Sequence, residues 1–123
     1  MNALGTHLLF DLKECNPQLL DDIQYIQQAM TGAATEAGAT IVAENFHKFD
    51  PFGVTGIVAI AESHLCIHTW PEHSYAAVDI FTCGRGFKPD KAAGLIIQRL
   101  QCVQPRITEF QRGVISELAT SPV

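Results

Sequence analysis

The sequence predicts an α+β fold: a two-layer sandwich whose antiparallel sheet carries two helices on one face, in the order β-α-β-β-β-β-α-β. Three observations predict it. Two stretches, one on each side of the centre, repeat apolar residues at helical spacing. The middle third is a succession of short strand-forming runs separated by turn residues. Those turns are too short for the crossover that parallel neighbours require, so adjacent strands must run antiparallel. The 123 residues make one ordinary domain, spanning 1–123. Apolar residues at 47% against 17% charged supply the core such a domain needs.

Residues 4–12 read as the first strand. A helix starts after it. Asn16 offers a capping oxygen, and Pro17 fits the first helical position, where a missing N–H costs nothing. Leu19, Ile23, Ile26, Met30, Ala33 and Ala37 then recur at spacings of three and four, one apolar stripe that Gly38 terminates. Gly32 weakens its last turn. Strands follow at 40–46, 54–61, 64–70 and 75–81, with turns at 50–53 and 71–74. A second helix begins near Pro89 or Asp90 with Ala93, Ile96, Ile97 and Leu100 on its apolar side, 106–111 is a final strand, and the tail after Val114 frays.

The run Ile57-Val58-Ala59-Ile60-Ala61 has no polar alternation, so its strand is expected to be buried on both faces. Two helices cover one face of the sheet. A second copy packing sheet against sheet would cover the other, giving a four-layer αββα homodimer.

Composition excludes several classes. Eight Lys and Arg against 13 Asp and Glu leave a net charge of −5. The basic residues are scattered rather than gathered in a patch, which disfavours nucleic acid, whereas an acidic surface tolerates small cationic ligands. The longest clean apolar run has five residues, far below the roughly 18 that a membrane span needs, so no membrane partner is expected. The amino terminus lacks the basic start and apolar stretch of a signal peptide. Cys15, Cys66, Cys83 and Cys102 form no CxxC pair, and free thiols in a cytoplasmic protein are expected.

Residues 62–84, ESHLCIHTWPEHSYAAVDIFTCG, concentrate the chemistry. His64, Cys66 and His68 alternate and would point the same way from a strand, yet match no specific zinc spacing, against the plainer reading of half-buried strand residues. Ser63 and His68, five apart, fall on opposite faces of a regular strand; they could meet only across a bulge, a turn or a strand end. No G-x-S-x-G elbow surrounds the serine. Cys83, beside Gly84-Arg85-Gly86, would be a proton donor near neutrality, or simply a packed thiol. Lys13, Lys48, Lys88 and Lys91 stand in no phosphate-cradling context, which argues against pyridoxal phosphate.

Residues 62–72 read E-S-H-x-x-I-H-T-W-P-E and 76–84 read A-A-V-D-I-F-T-C-G, with Leu4-Gly5-x-His7-Leu8 near the start and Gly38-Ala39-Thr40-Ile41-Val42 before the second strand. On these motifs the chain resembles the prokaryotic S-adenosylmethionine decarboxylases, pyruvoyl-dependent enzymes of polyamine synthesis. The resemblance is close over about the first 85 residues and looser beyond. It implies that the Ser63 hydroxyl attacks the Glu62 carbonyl, turns that peptide link into an ester, and is eliminated. A β chain of residues 1–62 would be released, and an α chain of residues 63–123 would carry a pyruvoyl group made from Ser63.

That group would take the substrate amine as a Schiff base and accept the electrons left by departing carbon dioxide, with no metal needed. The resemblance further implies His68 as the processing base, Thr55 in the place of a processing serine, and Cys83 as the proton donor. Phe49, with Trp70 as a neighbour, would stack on adenine, and Glu72 would accept hydrogen bonds from the ribose hydroxyls. The bland alternatives are core packing for Phe49 and Trp70 and a solvated turn for Glu72. His73-Ser74 replaces an aromatic-Gly pair of the family, and His7, His64 and Cys66 have no implied role. Two other readings stand beside this one: a pyruvoyl-dependent arginine decarboxylase on the same scaffold, and a non-cleaving regulatory paralogue.

Overall fold

The computed structural model of the chain describes residues 3–83 and 86–115. The first strand, β1 (Ala3–Lys13), leads to a single helical turn, α1 (Pro17–Leu20), and a longer helix, α2 (Ile23–Glu36). Four strands follow, β2 (Ile41–Lys48), β3 (Val54–Ile60), β4 (Ser63–Trp70) and β5 (Tyr75–Thr82), with a 3-10 turn at Pro71–His73 between the last two. Helix α3 (Pro89–Arg99) and strand β6 (Gln104–Val114) complete it. The six strands form one antiparallel sheet in the order β2-β3-β4-β5-β1-β6. The expected α+β architecture is therefore present, with the helices on one face.

The first helix differs from expectation, because it is two helices. Asn16 caps α1 by accepting from the N–H groups of Gln18 and Leu19 at 3.0 and 3.4 Å. The apolar stripe runs unbroken past this turn, but Asp22 adopts extended backbone and accepts from Tyr25 N–H at 3.1 Å, starting α2 afresh. A short acidic side chain competes with the helix for its own backbone donors, so it starts helices more readily than it continues them. Asp21 is drawn away entirely. Its carboxylate accepts from Gly53 N–H at 2.8 Å and pairs with the Lys48 ammonium at 3.0 Å. Gly53 sits at φ +108°, open to glycine at little cost, and this contact pins the 50–53 turn against α1.

Alternation across the sheet separates a core face from an open face. Leu8, Phe10 and Leu12 of β1, Val58 and Ile60 of β3, Leu65 and Ile67 of β4, and Val78 and Ile80 of β5 point towards the helices and are buried against Ile26, Met30, Ala33 and Ile96. Thr69 is the polar member of that layer: its hydroxyl accepts from Val54 N–H at 2.8 Å and donates to the Leu20 carbonyl at 2.7 Å. The Tyr25 hydroxyl reaches the Arg99 carbonyl at 2.7 Å and joins α2 to α3.

The expectation that residues 57–61 are buried on both faces does not hold for the single chain. Strand β3 alternates, and Ile57 on the open face is 44% exposed. Leu9 at 41% and Phe110 at 50% are exposed on the same face. The final strand is longer than expected because it follows β1 for its whole length, from Ala3 opposite Val114 to Lys13 opposite Gln104. The tail beyond Ile115 and the Gly84-Arg85 segment lie outside the described residues. Among the described residues no helix is long and apolar enough to cross a membrane.

Gly53 N–H first, and the Lys48 ammonium second, hold the Asp21 carboxyl below its ordinary value. A carboxyl depressed in the folded state stabilises fully above its unfolded value and loses that contribution as pH falls through the folded one. Asp21→Ala should therefore lower the unfolding free energy by about 1 kcal/mol at neutral pH, a modest figure because the group is partly solvated. The difference should close below the ordinary carboxylate range of about 3.9. Denaturant titrations at both pH values check this; a gap that persists in acid would assign the effect to packing instead.

Candidate functional site

Ser63 opens β4 immediately after a tight turn whose last residue, Glu62, has φ +67°. A non-glycine residue in that left-handed region carries strain of roughly 1–3 kcal/mol, sustained only by its surroundings. Here the surroundings are Cys83. Its thiol donates to the Glu62 carbonyl oxygen at 2.5 Å, and its backbone N–H donates to Ser63 Oγ at 3.3 Å. One residue thus holds both the carbonyl that precedes Ser63 and the hydroxyl that could attack it. Opposite Ser63 in the ladder stands Thr82, whose buried Oγ1 has no hydrogen-bond partner among the described residues.

The other expected residues gather elsewhere. Thr55 faces His68 across β3 and β4, and Thr55 Oγ1 and His68 Nδ1 are hydrogen-bonded at 3.1 Å. Trp70 lies 6.4 Å from His68 and 5.5 Å from Tyr75 between ring centroids. Glu72 is exposed on the 3-10 turn that follows, and Phe49, 47% exposed, packs edge-on to His47 at the end of β2. Ser74 takes up the left-handed conformation, φ 51°, that a glycine would adopt freely, so the turn forms without one. Burial, and then its hydrogen bond to Asp11, push the Tyr75 phenol up to about 12.

Glu62, Ser63 and Cys83 therefore occupy one end of β4, and Phe49, Thr55, His68, Trp70 and Glu72 the other. Strand β4 pairs without a bulge from Ser63 to Trp70. Five residues at about 3.3 Å each separate Ser63 from His68 by about 17 Å. The alternation also places them on opposite faces, as the spacing predicts: Ser63 shares the helix side with Thr82, and His68 shares the open side with Thr55. Within one chain they do not meet.

The open face holds a cluster that spacing alone did not mark. The Arg112 guanidinium lies 3.2 Å from His7 Nδ1, so that nitrogen accepts, and Nε2 carries the proton donated to Asp79 Oδ2 at 2.8 Å. His64 Nε2 reaches the same oxygen at 3.3 Å. The ligating atoms of His7, His64 and Asp79 lie within 4.8 Å of one another, but this assignment puts a proton on the nitrogen a metal would take. The signal for the cluster was the shared parity of His64 with Asp79, which becomes visible only once the register between β4 and β5 is known. Cys66 faces Asp79 as well, and burial followed by that negative neighbour pushes its thiol up to about 11. A cleft of about 380 Å³ runs over this face between Leu9, Asp11, His68, Asp79, Thr108 and Phe110.

Comparison with known proteins gives a single answer. A family model described as S-adenosylmethionine decarboxylase matches residues 6–113. The S-adenosylmethionine decarboxylase proenzyme of Thermodesulfovibrio yellowstonii is 55% identical over 116 residues, covering 94% of this chain and 86% of the relative. The proenzyme of the same name from Thermotoga maritima is 48% identical over 118 residues, covering 96% and 91%. The crystal structure of the adenosylmethionine decarboxylase of Aquifex aeolicus superposes with a TM-score of 0.88 at 35% identity, over 95% of this chain and 97% of that one.

Proposed function

The chain belongs to the S-adenosylmethionine decarboxylase family, and we propose that its pyruvoyl group arises from Ser63 in a site shared between two copies. The enzyme is a carboxy-lyase that converts S-adenosylmethionine to decarboxylated S-adenosylmethionine and carbon dioxide, supplying the aminopropyl donor for spermidine. Membership favours this substrate over arginine. The retention of Ser63, His68 and Cys83 weighs against a non-cleaving paralogue.

The observation that carries the proposal is the grip of Cys83 on both reacting groups of the Glu62–Ser63 link. A donor on the Glu62 carbonyl makes its carbon more electrophilic, and the N–H on Ser63 Oγ fixes the hydroxyl beside it. Attack forms the new C–O bond and breaks the Glu62–Ser63 C–N bond. Loss of the Ser63 Cα proton and of its Cβ–O bond then releases residues 1–62 with Glu62 as a carboxylate. Water hydrolyses the dehydroalanine left at 63 to the pyruvoyl, its nitrogen leaving as ammonia. The turn conformation at Glu62 supports this, because cleavage releases its strain. A pyruvoyl group at position 63 would supply an imine-forming electron sink for the pair left on Cα by departing carbon dioxide. Cys83, beside that position, supplies the proton that returns to Cα.

The attacking hydroxyl needs a base, and His68 lies about 17 Å along the same strand. Two copies stacked open face to open face, about a two-fold axis running across the strands, bring the Ser63 end of one β4 to the His68 end of the other. Each site then draws Glu62, Ser63 and Cys83 from one protomer and Phe49, Thr55, His68, Trp70 and Glu72 from its partner. The exposed Leu9, Ile57 and Phe110 are the apolar surface such a contact would bury. The Thr55 hydroxyl orients the His68 ring through Nδ1, leaving Nε2 to take the proton. Phe49 and Trp70 offer aromatic faces to the adenine and the sulfonium, and Glu72 offers acceptors to the ribose hydroxyls.

Ser63→Ala should give one uncut, folded chain without decarboxylase activity. The unmodified enzyme should give two chains, 1–62 and a partner blocked at its amino terminus, in a denaturing mass spectrum; activity surviving the substitution would overturn the reading. Co-expression tests the shared site. A His68→Ala chain, uncut alone, should be cut when paired with a Ser63→Ala chain, because it keeps its own Ser63 and borrows the other copy's His68. No cutting in the mixture would put His68 in its own chain's site. Cys83→Ala, which keeps the backbone N–H on Ser63 but loses the thiol on the Glu62 carbonyl, should slow cleavage without abolishing it and, once processed, lower turnover about 10²–10⁴-fold, the range for loss of a general acid. Unchanged single-turnover kinetics of the processed variant would remove Cys83 from the reaction.

A further inference from the structure

The ladder between β1 and β6 continues beyond its last paired residues. Lys13 faces Gln104, the Val103 N–H donates to the Glu14 carbonyl at 3.2 Å, and Cys15 and Cys102 each follow directly on that bond, in the turns that flank the two strand ends. The two turns that follow are bolted together. Glu14 at φ 56° and Gln101 at φ 54° each precede one of the cysteines, Asn16 N–H donates to the Leu100 carbonyl at 3.1 Å, and the Asn16 amide donates to Gln101 Oε1 at 3.0 Å.

The thiols themselves converge. Cys15 S–H donates to the Leu12 carbonyl at 3.4 Å and Cys102 S–H to that of the adjoining Lys13 at 3.1 Å. Cys15 is buried and Cys102 half-buried, and both are free. Burial, and then the adjoining Cys102, push the Cys15 thiol up to about 12. The more accessible Cys102 is therefore the point of entry for a reagent, and Cys15 the resolving partner behind it.

We propose that Cys15 and Cys102 form a reversible dithiol switch, oxidised to an intramolecular disulfide by a small-molecule disulfide of the glutathione class. Cys102, as thiolate, attacks one sulfur of the small disulfide; that S–S bond breaks and one small thiolate leaves. Cys15 gives up its proton, attacks the Cys102 sulfur of the mixed disulfide, and expels the second small thiolate. Both cysteines are oxidised, the small disulfide is reduced to two thiols, and the two cysteine protons end on those thiols. On the reading that Ser63 processing divides the chain, Cys15 belongs to residues 1–62 and Cys102 to residues 63–123. The disulfide would then rejoin covalently two chains that processing had separated, at a place remote from the Ser63 turn.

The test is peptide mapping of the purified protein after incubation with glutathione disulfide, alkylation and trypsin. Cleavage after Lys13, Lys48, Arg99 and Arg106 leaves Cys15 alone in peptide 14–48 and Cys102 alone in peptide 100–106, with Cys66 and Cys83 between them in sequence. The expected product is peptide 14–48 joined to peptide 100–106, lighter by two hydrogens than their sum and separated by a reductant. Cys102→Ser should abolish it, and Cys15→Ser should trap glutathione on Cys102. Recovery of the two peptides only as alkylated thiols, or only as separate glutathione adducts, would overturn the proposal. The readout does not depend on self-cleavage, so failure of processing and failure of the switch are told apart. In a processed sample the two chains should also comigrate under denaturing, non-reducing conditions and part on reduction.

Discussion

Strand β1 lies between β5 and β6, and the rest of the molecule depends on that insertion. Strands β1, β2 and β3 precede the Glu62–Ser63 turn and β4, β5 and β6 follow it, yet the sheet order is β2-β3-β4-β5-β1-β6. Every ladder except those of β2 with β3 and β4 with β5 therefore joins one side of the turn to the other. The β1–β6 pairing is also the longest, running from Ala3 to Lys13. A break at the turn leaves the hairpin it closes paired from Thr55 with His68 to Ala59 with His64. A chain built this way can lose one peptide bond and stay folded.

The same turn holds the Glu62–Ser63 link, the proposed point of cleavage, at the head of an otherwise ordinary strand. Glu62 takes a conformation that a side chain disfavours, and two donors from Cys83, one thiol and one backbone N–H, engage the carbonyl and the hydroxyl on either side of the link. Cys83 can do this because the β4–β5 register sets Ser63 opposite Thr82, one residue before it. Period-two alternation also has a cost for the site. It puts Ser63 and His68 on different faces, so the strand that carries the proposed nucleophile holds the proposed base where that nucleophile cannot use it. The pairing of two copies proposed above would supply a second His68 at the Ser63 end of the strand.

The open face follows from the same alternation. Its middle is polar, with Arg112, His7, Asp79 and His64 in one hydrogen-bonded chain, and its surroundings are apolar, with Leu9, Ile57 and Phe110 exposed. A polar network ringed by apolar side chains suits a contact that must be specific as well as stable, because misaligned copies would bury the charges of Asp79 and Arg112 without partners.

Much of this was legible in the residues. The strand succession, the Asn16 cap, the Gly38 stop and the turns around Gly53 and Ser74 all follow from local backbone preference, and the motif from Glu62 to Glu72 carried the chemistry. The parity argument for Ser63 and His68 needed nothing beyond the side-chain period of a strand. The break at Asp22 was also written locally, but an apolar stripe continuing from Leu19 to Ile23 masked it. What the chain order could not contain was which strands become neighbours. That β1 seats between β5 and β6, that Asp79 meets both His7 and His64, and that the turns carrying Cys15 and Cys102 adjoin are consequences of pairings between segments as many as 111 positions apart. Such pairings are chosen by how the whole apolar surface is buried at once, and no local pattern records that choice.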